Sequence, residues 1–187
     1  LLKDDKYLEL SKRLLSYTIK NQTENGYYNN SDFYSNENTL THNLGYILEG
    51  LIDSSYHLKD FSFLEKANTT LENISNLVEK NGKLNSRFTN EWKAANQDNC
   101  LTGSAQIAIC FLKSSNSKKN EKFIEKGQII LENLKNYQNN YLIDFGGGIG
   151  AVWGSWPING NYQPFEAINW ANKFFIDLLN LNLKIKN

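Results

Sequence analysis

Six stretches of helical spacing, alternating in character along the chain, restrict this sequence more than any single motif. Apolar residues recur every three or four positions over 4–20, 38–54, 61–80, 101–113, 121–138 and 165–181. The first, third and fifth stretches are amphipathic with charged outer faces. The third has the cleanest period, through Phe63, Leu64, Ala67, Leu71, Ile74, Leu77 and Val78. The second, fourth and sixth carry Gly45, Gly50, Gly103, Ala105 and Ala108, or run from Trp170 to Leu179 with few breaks in apolarity. A helix that is apolar over most of its circumference is buried between neighbours. The pattern predicts an all-α fold of three consecutive hairpins, each an outer helix followed by an inner one, set side by side as a two-layered arc.

The punctuation repeats. Asn25-Gly26-Tyr27-Tyr28-Asn29 after the first helix is echoed by Asn81-Gly82-Lys83-Leu84-Asn85 after the third, and Leu44-Gly45 by Thr102-Gly103. Such a period is long enough for two helices and their loops. The segments Arg87–Asn99 and Asn139–Pro164 precede inner helices, so they gather at one end of the arc, and loops of that length are commonly functional. The second contains Gly146, Gly147, Gly148, Gly150 and Gly154, Trp153, Trp156 and both prolines. Glycine permits positive φ and close approach, whereas flexible linkers lack aromatics. An ordered, shaped loop packed across the site is expected. The glycine run lacks the Lys-Ser/Thr and strand–helix setting of a phosphate loop.

Composition narrows the function classes. The 187 residues carry 20 basic and 20 acidic side chains, a balance that points to neither nucleic acid nor an anionic membrane surface. No apolar run approaches the ~20 residues of a membrane helix. Leu1-Leu2-Lys3-Asp4-Asp5 does not read as a secretory leader. Cys100 and Cys110 fall in one helix, roughly 15 Å apart at ~1.5 Å rise per residue, too far for a disulfide. A reduced, cytoplasmic setting is the expectation. The chain contains no methionine, which leads us to expect a fragment lacking its N-terminal region.

Three motifs carry a family resemblance: Thr41-His42-Asn43-Leu44-Gly45-Tyr46, Cys100-Leu101-Thr102-Gly103-Ser104-Ala105-Gln106, and Gly154-Ser155-Trp156-Pro157 through Asn169-Trp170-Ala171-Asn172-Lys173-Phe174-Phe175. Together they resemble the C-terminal half of bacterial α/α-toroid proteins associated with exopolysaccharide biosynthesis. By fold those lie near the terpenoid-cyclase and protein-prenyltransferase toroids and the six-hairpin glycosidases. The resemblance implies a partial (α/α)6 barrel, with the missing N-terminal half of the toroid as its partner and a carbohydrate or polysaccharide intermediate as ligand. The acidic Asp-x-Asp-Asp motif of squalene-type cyclases is absent, as are the cysteine and histidine motifs of lanthionine cyclases. Neither a metal nor a cofactor is expected.

Candidate site residues follow from the helix faces and the two long loops. His42, Tyr46 and Glu49 share one face of the second helix, offering a proton carrier near neutral pH, a phenol and a carboxylate; the bland alternative is a histidine packed at the helix start. Arg87–Asn99 offers Glu91, Trp92 and Asp98, leading to Thr102 and Gln106. A tryptophan ring covers the C–H face of a pyranose while polar groups take its hydroxyls, though Asp98 equally suits helix capping. Trp153, Ser155, Trp156 and Tyr162 from the last loop, with Asn169 and Lys173 on the sixth helix, complete the binding set; Lys173 and Asp177 also suit a helix ion pair. Acids for glycoside chemistry would come from Glu49, Glu91, Asp98 and Glu166, spaced about 5–5.5 Å or 6.5–9.5 Å apart. Glycan processing is the leading expectation. An aromatic shelf without paired acids would instead mark a non-catalytic glycan- or partner-binding module, and a deep apolar tunnel an isoprenoid-handling toroid.

Overall fold

A computed structural model describes residues 5–32, 38–118, 120–138 and 148–186. Its helices are α1 (Asp5–Lys20), α2 (Thr41–Leu58), α3 (Ser62–Leu77), α4 (Leu101–Lys118), α5 (Glu121–Lys135) and α6 (Asn169–Lys186). The all-α expectation holds; the end of α1 and the starts of α4 and α5 fall where expected, and the other helix boundaries shift by one to five residues. The central element is α4, whose residues from Leu101 to Leu112 are all buried. It packs against α2, α5 and α6, while α3 packs on α2. Leu44, Leu48, Leu51 and Ile52 of α2, Phe123, Ile130 and Leu134 of α5, and Phe174, Phe175 and Leu178 of α6 close the core around it. Each such side chain contributes about 1.5–3 kcal/mol when fully buried.

The connections have two lengths, with the long loops preceding the inner helices as the sequence predicts. The tight connections run from inner to outer helix. Lys59 takes a left-handed conformation that ends α2, and α3 begins at Ser62. Likewise α5 starts three positions after the end of α4, capped by Asn120, whose side chain accepts from Phe123 N–H. The short connections therefore join α2 to α3 and α4 to α5, while α4 also packs closely on α2 and α6. The first helix, α1, has no buried residue at all, although Leu15 and Ile19 lean on the core.

The repeated sequence echoes have a physical basis. Gly26 and Gly82 both adopt positive φ, 77° and 86°, so each Asn-Gly turns the chain after an outer helix. The other pair forms the α2/α4 crossing. A Cβ on Gly45 would lie 2.5 Å from Gln106 Cβ, and one on Gly103 would overlap Thr41 and His42. Each glycine is a notch for the other helix.

Short strands stitch the long loops together at this end. Strand β1 (Thr39–Leu40) pairs with β2 (Arg87–Phe88), and β3 (Asn99–Cys100) with β4 (Ser155–Trp156), both antiparallel. β1 leads directly into α2 and β3 into α4, so the pairings fix where the inner helices begin.

Candidate functional site

The N-terminal turns of α2, α4 and α6 meet beneath the last loop, and an aromatic shelf forms there. His42, in the first turn of α2, is 6% exposed. Its ring lies 4.8 Å from that of Tyr46, 5.6 Å from Tyr162 and 6.5 Å from Phe174. Tyr46 also packs edge-on against Phe174 at 5.8 Å. Trp170, 38% exposed, donates its indole N–H to the Tyr162 hydroxyl at 2.9 Å. Tyr46, 53% exposed, and Trp170 present surface to solvent, while His42 and Phe174 form the floor. Lys173 sits 4.0 Å from the Phe174 ring centre, a cation–π contact, and pairs with Asp177 at 2.8 Å.

Beneath the shelf, His42 Nδ1 lies 2.5 Å from Gln106 Oε1. Gln106 is wholly buried in α4, and its Nε2 is enclosed without a partner. Burial pulls His42 below the ordinary imidazole value, partly offset by the Gln106 hydrogen bond. The ring is therefore neutral at pH 7. Burial, and after it the nearby Cys100, pushes the Tyr162 phenol up to about 12, so it remains protonated. The Cys100 thiol is itself pushed up to about 12, mainly by burial.

The remaining candidates separate into framework and surface. Trp92 is a core residue, 8% exposed: its ring packs on Tyr27 and Phe88, and its indole N–H reaches Asn25 O at 2.9 Å. This corrects its reading as a sugar platform. Trp153 is likewise buried in the core. Ser155 is buried in β4, where it pairs with Cys100. Thr102 is buried beside Tyr162. Glu91 is exposed and pairs with Lys93 at 2.5 Å. Glu49 meets Lys113 at 2.9 Å, and Asp53 reaches the same ammonium at 2.8 Å. Burial lowers Lys113, but these carboxylates outweigh it and its net shift is upward.

Asp98, buried, does not cap α4. There Cys100 Sγ accepts from Gly103 N–H, and the Asp98 carboxylate instead accepts from Asn161 N–H at 3.0 Å, Asn161 Nδ2 at 3.1 Å and Ser86 Oγ at 3.3 Å. Its role is to pin the loop that carries Tyr162. Trp156 is half-exposed and stacks on Tyr137 at 4.8 Å. Asn169 is exposed at the start of α6. Of the loop over 139–164, residues 139–147 lie outside the described residues, whereas Val152, Trp153, Ser155 and Gly160 are buried. Val152 exchanges backbone hydrogen bonds with the Asn172 side chain at 2.8 and 3.3 Å.

The shelf joins His42, Tyr46 and Tyr162 with two residues that sequence reasoning left out of the site, Trp170 and Phe174. A signal was present: α2 opens with an aromatic pair at i and i+4 (His42, Tyr46) and α6 with another (Trp170, Phe174). Among the described residues, no group of three or more His, Cys, Asp or Glu is placed to hold a metal ion. Nor is any helix of the described residues long and apolar enough to cross a membrane.

No protein-family model matches the sequence, and no curated protein matches it. Solved structures do. The unsaturated glucuronyl hydrolase of Bacillus sp. GL1, responsible for the degradation of glycosaminoglycan, superposes with a TM-score of 0.71 over 94% of this chain at 14% identity. A UGL variant with dGlcA-Glc-Rha-Glc gives 0.65 over 88%, also at 14% identity. The fold is that of an α/α toroid. This chain spans 52% and 49% of those two structures, about half their length.

Proposed function

We propose that this chain is one half of an α/α-toroid protein that handles carbohydrate, and that a sugar lies on the aromatic shelf around His42. The observation that carries the reading is the shelf itself. Tyr46, Tyr162, Trp170 and Phe174 surround one neutral imidazole at the loop end of the three inner helices. Exposed aromatic faces suit the C–H face of a pyranose, and the imidazole and phenol edges suit its hydroxyls. The toroid neighbours, one named for glycosaminoglycan degradation, support the same ligand class. The other half of the ring would cover the open edges of the arc, and Lys173 and Asn169 would line the mouth between the halves.

Binding is favoured over glycoside hydrolysis by this half alone. Hydrolysis needs two carboxylates flanking one bond. Among the described residues, Glu91 and Asp98 are each engaged by their own partners, Glu49 and Asp53 meet at Lys113, and Glu166 is exposed. The deciding experiment is an NMR titration of the purified chain with uronate-containing oligosaccharides. The Trp170 indole and His42 ring signals should shift together, and Trp170→Ala should weaken binding at least about tenfold, as loss of a stacking anchor costs on the order of 1–3 kcal/mol. Shifts confined to Trp156, or none at millimolar sugar, would sink this reading.

A further inference from the structure

Gln106 occupies a position that packing alone does not explain. It is wholly buried in an apolar stretch of α4, between Ala105 and Ile107. Its Nε2 is enclosed with no acceptor, and buried amides are ordinarily satisfied. Room has been made for it: Gly45 of α2 leaves a notch in which a Cβ would come within 2.5 Å of Gln106 Cβ and 2.9 Å of its Cδ. What the amide does have is one short hydrogen bond, from its Oε1 to His42 Nδ1 at 2.5 Å. With the amide oxygen, which only accepts, facing the ring, the matching tautomer of neutral His42 carries its proton on Nδ1. Among the described residues, the ring's other nitrogen, Nε2, has no hydrogen-bond partner, and it is not among the enclosed, unpartnered atoms. The ring itself lies among Tyr46, Tyr162 and Phe174.

We infer that Gln106 is a positioning residue, which holds His42 as the Nδ1–H tautomer and so presents Nε2 on the shelf as an acceptor for a ligand hydroxyl. The ligand class is a neutral or acidic polyol that donates an O–H, and this part rests on the carbohydrate reading above. Gln106 itself touches no ligand, in contrast to its expected place in the binding set. The orphaned Nε2 follows from the same arrangement: turning the amide over would satisfy neither more nor fewer of its atoms, but would place a donor against Nδ1 and convert Nε2 into a donor. The shelf would then donate to a hydroxyl oxygen where it otherwise accepts the hydroxyl proton.

Long-range 1H–15N correlation spectra of the imidazole rings at pH 7.5 test this directly. The protein has two histidines, and His57→Gln assigns the signals of His42. The expected result is a protonated Nδ1 and a bare Nε2 in the wild type. Gln106→Glu should retain this tautomer, since a carboxylate also accepts. Gln106→Leu should shift the ring towards Nε2–H and weaken oligosaccharide binding by about two- to tenfold. A wild-type ring protonated on Nε2 would overturn the inference, as would an unchanged tautomer in Gln106→Leu. If Gln106→Leu does not fold, the wild-type and Gln106→Glu spectra still decide. A correct tautomer with no sugar-induced shift would sink the carbohydrate reading while leaving the role of Gln106 intact.

Discussion

His42 carries its burial as a pH dependence of stability. Its folded pKa lies below the ordinary value, burial being the larger cause, while the unfolded chain titrates near 6.5. Below that value the unfolded state binds the extra proton first. The contribution is therefore complete above about pH 6.5 and is lost as pH falls towards the folded pKa. The groups facing the ring are Tyr46 of α2, Tyr162 of the last loop and, beside Phe174 of α6, Lys173. None of these supplies an anion at neutral pH to stabilise an imidazolium. Melting temperatures at pH 7.5 and 5.5 should thus drop further for the wild type than for His42→Gln, a window in which most carboxylates remain ionised. Parallel drops in the two proteins would show that His42 titrates as freely as an exposed histidine. Asp98 makes a different prediction at the same scale. Removing its carboxylate in Asp98→Ala strands Asn161 and Ser86, so it should destabilise by about 1–3 kcal/mol in urea. The exposed Glu91→Ala should stay within about 0.5 kcal/mol.

Between elements, glycines separate what was legible in the sequence from what was not. The Leu44-Gly45 and Thr102-Gly103 echo reads as a repeat, but only the crossing of α2 and α4 shows that each glycine accommodates the other helix. Gly50, on the same helix, meets nothing within 4 Å. Gly50→Ala should therefore stabilise by about 0.5–1 kcal/mol through helix propensity alone. Gly45→Ala should destabilise by about 1–3 kcal/mol through overpacking against Gln106. Urea midpoints moving in the same direction for both would refute the notch. The helices were legible because their periods are local. Contacts between segments far apart in sequence were not legible, such as the close packing of α4 on both α2 and α6. Trp92 was misplaced for a related reason. Its partners Tyr27 and Asn25 come from a loop before α2, and nothing near Trp92 in sequence announces that it turns inward. The shelf was half legible: His42, Tyr46 and Tyr162 were in view, whereas Trp170 and Phe174 were absorbed into the apolar count of α6.

At the scale of the molecule, the arc has two edges whose apolar faces lack cover. Tyr7, Leu10, Leu14 and Tyr17 of α1 are exposed, as are Ile176 and Leu183 of α6. Neither face contributes much to the core, and both belong to terminal helices of an arc that matches half of a longer toroid. On the half-ring reading, three further hairpins pack against these faces. That reading separates two kinds of α6 substitution. Leu178 is fully buried against the core, and Leu178→Glu should unfold the 187-residue chain, because an unpaired charge there has no compensation. Ile176→Glu and Leu183→Glu place charge on exposed surface, so in this chain alone they should change the unfolding free energy by no more than about 0.5 kcal/mol. In a polypeptide carrying the other three hairpins, the same two substitutions would bury charge at the closure of the ring and cost more than about 2 kcal/mol each. Equal, negligible effects in the short and extended proteins would show that the α6 face stays open, and the half-ring reading would fail at that edge.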